Sequence, residues 1–135
     1  MRRSTILALA ILTPVVAAAA APSALEKVAG GMWEISGAPG VQAPVRQCVP
    51  DVTALAQFEH RSRNCARSVT SDHGNSAVIN YRCGDGAFGQ SQLDVITPRS
   101  LRISTQGISD QLPFSYVLQA RRVGDCEKSP SATRH

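Results

Sequence analysis

Apolar and polar residues alternate with a period of two over much of residues 65–120, and this pattern constrains the fold more than any other feature. Successive side chains of a strand point to opposite faces of a sheet, so the alternation predicts strands with one buried face. Turn-forming residues interrupt the pattern at residues 72–75 and again around Pro98. We therefore predict a series of consecutive antiparallel hairpins.

Residue counting predicts the register of two of these hairpins. Cys65 and Cys83 each lie nine residues from Gly74, so a hairpin centred on that glycine places the two cysteines opposite each other. A hairpin centred on Pro98 keeps apolar partners on one face, whereas a register half a residue away would set Asp94 against an isoleucine. The predicted pairs are Arg67 with Tyr81, Val69 with Ile79, Leu93 with Ile103, Val95 with Leu101, and Asp94 with Arg102.

The alternation continues through residues 114–120. Pairing Ile103 with Tyr116 and Leu101 with Leu118 would extend the same apolar face onto a further strand. A strand is also expected near residues 32–35, where Trp33 and Ile35 would share one side.

Residues 51–61 are the one segment with a helical pattern. Asp51 occupies an N-cap position, and His60 falls near the end, where the helix dipole favours positive charge, so we expect it to cap the helix. The apolar stripe consists of Val52, Leu55, Ala56 and Phe58. The prediction is an α+β fold: an antiparallel meander of about five to six strands, curled and disulfide-stabilised, with one short helix over its apolar face.

Residues 1–20 are expected to be a secretory signal peptide. They begin with Arg2 and Arg3, continue as a short apolar run and end in alanines that suit cleavage. The run is too short for a membrane span, which needs about 20 residues. We therefore expect a single secreted domain over residues 21–126 and a flexible tail over 127–135, located in the periplasm or outside the cell, with no stable membrane span after cleavage.

The four cysteines are predicted to form two disulfides in that oxidising compartment. No Cys-x-x-Cys pair is present, which disfavours a zinc or thioredoxin-like site. The hairpin count favours Cys65 with Cys83, which leaves Cys48 with Cys126. The rival pairing of Cys48 with Cys65 and Cys83 with Cys126 stays open.

Charge and motifs argue against several functions. The net charge of +4 falls to +2 without Arg2 and Arg3, and no basic stripe of the kind that binds nucleic acid is present. Residues 84–89 match Gly-x-Gly-x-x-Gly, but a strand pattern follows where a dinucleotide site needs a helix. No serine-hydrolase elbow or His-Glu-x-x-His motif occurs. We expect no cofactor, no metal and no catalytic residues.

One family resemblance involves motifs along the whole predicted domain. These are Gly31-Met32-Trp33-Glu34, Gln47-Cys48, Cys65, Tyr81-Arg82-Cys83 and Arg122-Val123-Gly124-Asp125-Cys126. In this order they resemble the bacterial secreted family called domain of unknown function 3617. The resemblance implies a periplasmic or extracellular location and carries over no catalytic residue.

The leading functional hypothesis is a binding module for a small apolar ligand or an envelope partner. This hypothesis rests on the predicted apolar face of the sheet, which is continuous and which one short helix would cover only in part. The candidate ligand-binding residues are Trp33, Arg67, Tyr81 and Tyr116. Trp33 could instead anchor the core. Two further hypotheses are a structural or stress-related envelope protein without a ligand, and a small periplasmic enzyme in which His60 or His73 meets a carboxylate.

Overall fold

A seven-stranded antiparallel sheet makes up most of the computed structural model, which describes residues 21–127 and Leu12. The strands are β1 (Gly31–Ser36), β2 (Val45–Val49), β3 (Cys65–His73), β4 (Ser76–Cys83), β5 (Phe88–Thr97), β6 (Ser100–Ser109) and β7 (Leu112–Gly124). Their order across the sheet is β2-β1-β7-β6-β5-β4-β3. The predicted antiparallel architecture is confirmed, with one strand more than the largest expected number. The additional strand, β2, follows a stretch rich in Gly and Pro that carries no clear alternation.

The predicted signal peptide lies outside the described residues except for Leu12, and so does the predicted tail beyond Glu127. A short 3₁₀ turn, Ser23–Leu25, opens the part that can be described continuously. In residues 21–127 no helix has the length and apolar character needed to cross a membrane.

The β3–β4 hairpin pairs Cys65 with Cys83, as the count around Gly74 predicts. Residues 74 and 75 form its turn. Without a further irregularity, a two-residue turn at this position would shift the predicted pairing of the strands by half a residue. A bulge at Thr70 restores that register, because it inserts one extra residue into β3.

The β5–β6 hairpin has the same two features, a two-residue turn and a bulge. Residues 98 and 99 form its turn, and a bulge at Ile96 restores the predicted pairs of Leu93 with Ile103 and Val95 with Leu101. Both registers predicted from residue counts are therefore confirmed.

The predicted register of β6 with β7 is wrong by two residues. Ile103 pairs with Leu118 and Leu101 pairs with Ala120. The cause is the turn at Asp110 and Gln111, which have φ values of 49° and 67° and so form a tight two-residue connection without glycine. A shift of two residues leaves every side chain on its predicted face.

The inner face of the sheet, which bears Trp33, Leu93 and Ile103, packs against a 3₁₀ helix, Val52–His60, that we call the covering helix. Asp51 caps it as predicted, since its Oδ1 accepts a hydrogen bond of 3.0 Å from the Thr53 backbone N–H. The predicted apolar stripe is buried. Side chains exposed by 1% or less form the centre of the core: Trp33, Ile35, Val49, Leu55, Ala56, Ala77, Ile79, Ser91, Leu93, Leu101, Ile103 and Leu118.

The covering helix is not regular. Its backbone breaks at Gln57, where φ is −103° and ψ is 34°. The buried Gln57 side chain compensates for the break, because its Nε2 donates to the carbonyl oxygens of His60, at 3.2 Å, and Arg63, at 2.9 Å.

Both predicted disulfides are present. Cys65–Cys83 joins β3 to β4 across 4.2 Å between Cα atoms, and Cys48–Cys126 joins β2 to the segment after β7 across 5.3 Å. The second bond ties together the two segments that flank β1, so it fixes one end of the sheet.

Candidate functional site

The inner face remains partly open at the end of the sheet where the covering helix stops. A cleft of about 490 Å³ lies there between the β1–β2 loop, the end of the covering helix and the start of β7, and we call it the mouth cleft. Its walls are Ala38, Pro39, Val41, Val45, Phe58, Glu59, Arg61, Pro113, Phe114, Ser115 and Tyr116. Its volume falls within the range of small-molecule sites, about 300–1,000 Å³.

Two charged groups stand at the edge of the mouth cleft. The Tyr116 hydroxyl donates a hydrogen bond to the Glu59 carboxylate, and burial together with this bond raises the pKa of Tyr116. The Arg61 guanidinium lies 4.4 Å from the centroid of the Phe58 ring and donates to the Phe58 carbonyl oxygen at 3.1 Å. The mouth cleft thus combines apolar side chains with polar ones, among them one positioned carboxylate and one positioned cation.

His60, the last residue of the covering helix, is buried and its ring bonds Tyr81, so the prediction that it caps the helix is wrong. Its side chain is 4% exposed, and its Nδ1 lies 2.9 Å from the hydroxyl of Tyr81. His60 lies four residues after the buried Ala56, a spacing that shares one face of an α-helix. The predicted apolar stripe was therefore compatible with an inward-facing His60.

Burial governs the protonation of this pair. It lowers the pKa of His60 and so favours the neutral ring, and together with the charge of Glu59 it raises the pKa of Tyr81 to about 12. The Nε2 atom of His60 is buried and has no hydrogen-bond partner among the described residues.

The histidines do not form the pair that the enzymatic hypothesis requires within residues 21–127. His60 bonds the Tyr81 hydroxyl, while the neighbouring Glu59 bonds Tyr116. His73 is exposed at the end of β3. Over the same residues, no group of three or more His, Cys, Asp or Glu side chains is placed to hold a metal ion.

The four predicted ligand-binding residues do not converge on one pocket. Tyr116 lines the mouth cleft, whereas Trp33 is fully buried in the core. Arg67 lies on β3, where its Nη1 donates to Gln57 Oε1 at 2.6 Å, and Tyr81 packs against His60. The apolar face proposed as a pocket is filled around Leu93, Leu101, Ile103 and Leu118, and the mouth cleft opens beside it at Tyr116.

Several walls of the mouth cleft were not singled out from the sequence, notably Glu59, Arg61 and the loop of residues 37–44. One sequence signal could have indicated the loop, namely Val41, an apolar residue within a Gly- and Pro-rich stretch. In the structure Val41 is 46% exposed. No local pattern relates this loop to the other two segments, because they meet only through the fold.

Comparison with known proteins adds no functional assignment. The resemblance to domain of unknown function 3617 stays a prediction, and the mouth cleft is interpreted from its own geometry. No family model, curated protein or solved structure matches the chain.

Proposed function

We propose that the chain is an exported, non-catalytic binding module that holds a small, largely apolar molecule in the mouth cleft. The observation that carries the proposal is the composition of this cleft: three separate segments supply apolar side chains, and Glu59 and Arg61 add a carboxylate and a cation to its lining. Two disulfides support export, because such bonds persist in oxidising compartments. A periplasmic or extracellular location and membership of the resembled family belong to the same proposal.

The apolar body of the ligand would contact Val45, Phe58 and Phe114, and the hydrophobic effect would supply most of the binding free energy. Its polar end would face Arg61 and Glu59. Tyr116 holds the Glu59 carboxylate and the Phe58 ring supports the Arg61 guanidinium, so both charges are positioned before a ligand arrives.

A titration with two amphipathic probes, dodecanoate and an anilinonaphthalene sulfonate dye, tests this proposal. Ala38→Trp would fill the mouth cleft, because Ala38 lines it. Ala43→Trp is the matched control, since Ala43 lies in the same loop and is exposed without lining the cleft. We expect saturable binding of one probe molecule to the wild type and to Ala43→Trp, and binding weakened about tenfold or more by Ala38→Trp.

Two results would overturn the proposal. One is the absence of saturable binding to the oxidised wild-type protein, which would favour the structural role without a ligand. The other is equal affinity of Ala38→Trp and Ala43→Trp, which would show that the probes bind elsewhere.

A further inference from the structure

The outer face of the sheet, on the side opposite the covering helix, carries a groove across β4 to β7. Two clefts of about 610 Å³ and 510 Å³ open on this face and share Gln90, Gln106 and Ser115, so they form one continuous depression that we call the outer groove. The strand registers place Asn80, Gln90, Gln106 and Ser115 side by side as its central row.

This central row is polar, uncharged and poorly bonded. Gln106 Nε2 donates to Gln90 Oε1 over 3.4 Å, a long hydrogen bond. Asn80 Oδ1 is buried and has no hydrogen-bond partner among the described residues. A buried polar atom without a partner costs free energy, so this row holds hydrogen-bonding capacity that the described residues do not use.

Two further rows of side chains flank the central row of the outer groove. In one flanking row Phe88, which is 45% exposed, lies between Arg82 and Ile108. Arg82 is a cation that lines the groove, and its guanidinium lies 5.9 Å from the centroid of the Phe88 ring. The other flanking row is uncharged and consists of Val78, Gln92, Ser104 and Val117. Elsewhere the same face is charged: Glu34 forms ion pairs with Arg46 at 3.0 Å and Arg121 at 3.2 Å.

We propose that the outer groove is a second binding site, for a neutral oligosaccharide. Amide side chains both donate and accept hydrogen bonds, as sugar hydroxyl groups do, so a row of amides matches a chain of hydroxyls. The exposed Phe88 ring offers a flat apolar surface for the C–H face of a sugar ring. The central row carries no formal charge that would require a charged glycan. The outer groove and the mouth cleft adjoin at β7, where Pro113, Phe114 and Ser115 line both. The amide side chains of Asn80, Gln90 and Gln106, which carry this inference, do not line the mouth cleft.

Nitrogen-15 NMR titrations with two probes test this site: maltohexaose and the β-1,4-linked tetrasaccharide of N-acetylglucosamine. At least one probe should shift the side-chain amide signals of Gln90 and Gln106. The double variant Gln90→Ala/Gln106→Ala should weaken its binding about tenfold or more. Gln119→Ala is the matched control, because Gln119 is an exposed glutamine on the outer face of β7 that does not line the groove.

A second pair of variants examines the aromatic contact. Phe88→Ala should weaken binding of the same probe, whereas Phe88→Tyr, which keeps the ring, should retain it. The proposal is overturned if neither probe shifts these signals, or if Gln90→Ala/Gln106→Ala binds as Gln119→Ala does. Dodecanoate binding is measured on the same samples and should be unchanged by Gln90→Ala/Gln106→Ala, so failure at one site is distinguished from failure at the other.

Discussion

Removal of the two disulfides should destabilise the protein by different amounts. In the chain-entropy model, the stabilisation grows with the logarithm of the loop that the bond closes in the unfolded chain. The bonds join residues that are 78 and 18 positions apart. These loops correspond to about 4.5 kcal/mol for Cys48–Cys126 and about 3.2 kcal/mol for Cys65–Cys83.

The difference of about 1.3 kcal/mol is the stronger prediction, because the length-independent part of the entropy cancels. The double variants Cys48→Ala/Cys126→Ala and Cys65→Ala/Cys83→Ala remove one bond each. Urea unfolding followed by circular dichroism gives the free energy of unfolding of both variants and of the wild type. The dependence of that free energy on urea concentration shows whether the unfolded state of each variant has changed in compactness.

We expect Cys48→Ala/Cys126→Ala to be the less stable of the two variants. Since small domains are stabilised by about 5–15 kcal/mol in total, it should retain only a small margin at 37 °C. Equal losses of unfolding free energy in the two variants, or a larger loss on removal of Cys65–Cys83, would refute the explanation. They would show that loop closure in the unfolded chain is not the main source of the stabilisation.

Three further predictions concern buried groups. Because burial lowers the pKa of His60 from 6.5, the unfolded chain binds its proton first as the pH falls, so the free energy of unfolding should decrease below about pH 6.5. Urea titrations between pH 5 and pH 7 should show this, with a shallower slope for His60→Gln. Ser91 Oγ lies 2.5 Å from the Ala56 carbonyl oxygen, so Ser91→Ala should cost about 1–3 kcal/mol in thermal unfolding. A Cβ on Gly107 would lie 2.2 Å from a backbone oxygen of β5, so Gly107→Ala should cost about 1–3 kcal/mol, whereas Gly84→Ala, with nothing within 4 Å of its Cβ, should cost far less.

Registers were predictable where side chains and turns constrained each other. The two confirmed hairpins have apolar partners on one face, so a register offset by half a residue would have mismatched them. The bulges at Thr70 and Ile96 were not foreseen, yet each compensates for its two-residue turn. The β6–β7 register failed because left-handed φ angles at Asp110 and Gln111 carry no glycine signal.

The sites were less predictable, for two physical reasons. His60 faces inward, as its spacing of four residues from the buried Ala56 allows, but its bond to Tyr81 depends on a strand that is distant along the chain. The mouth cleft brings Val41, Glu59 and Phe114 together from three segments that are distant along the chain. Neither site has a local motif, so both emerged only from the tertiary structure.

Native mass spectrometry of protein purified from cells that naturally produce it tests the central claim most directly. Wild type and Ala43→Trp should each carry one small molecule that adds the same mass, and that mass should be absent from Ala38→Trp. A wild-type protein that carries no added mass, or an adduct equally abundant in all three, would contradict a ligand-binding role for the mouth cleft.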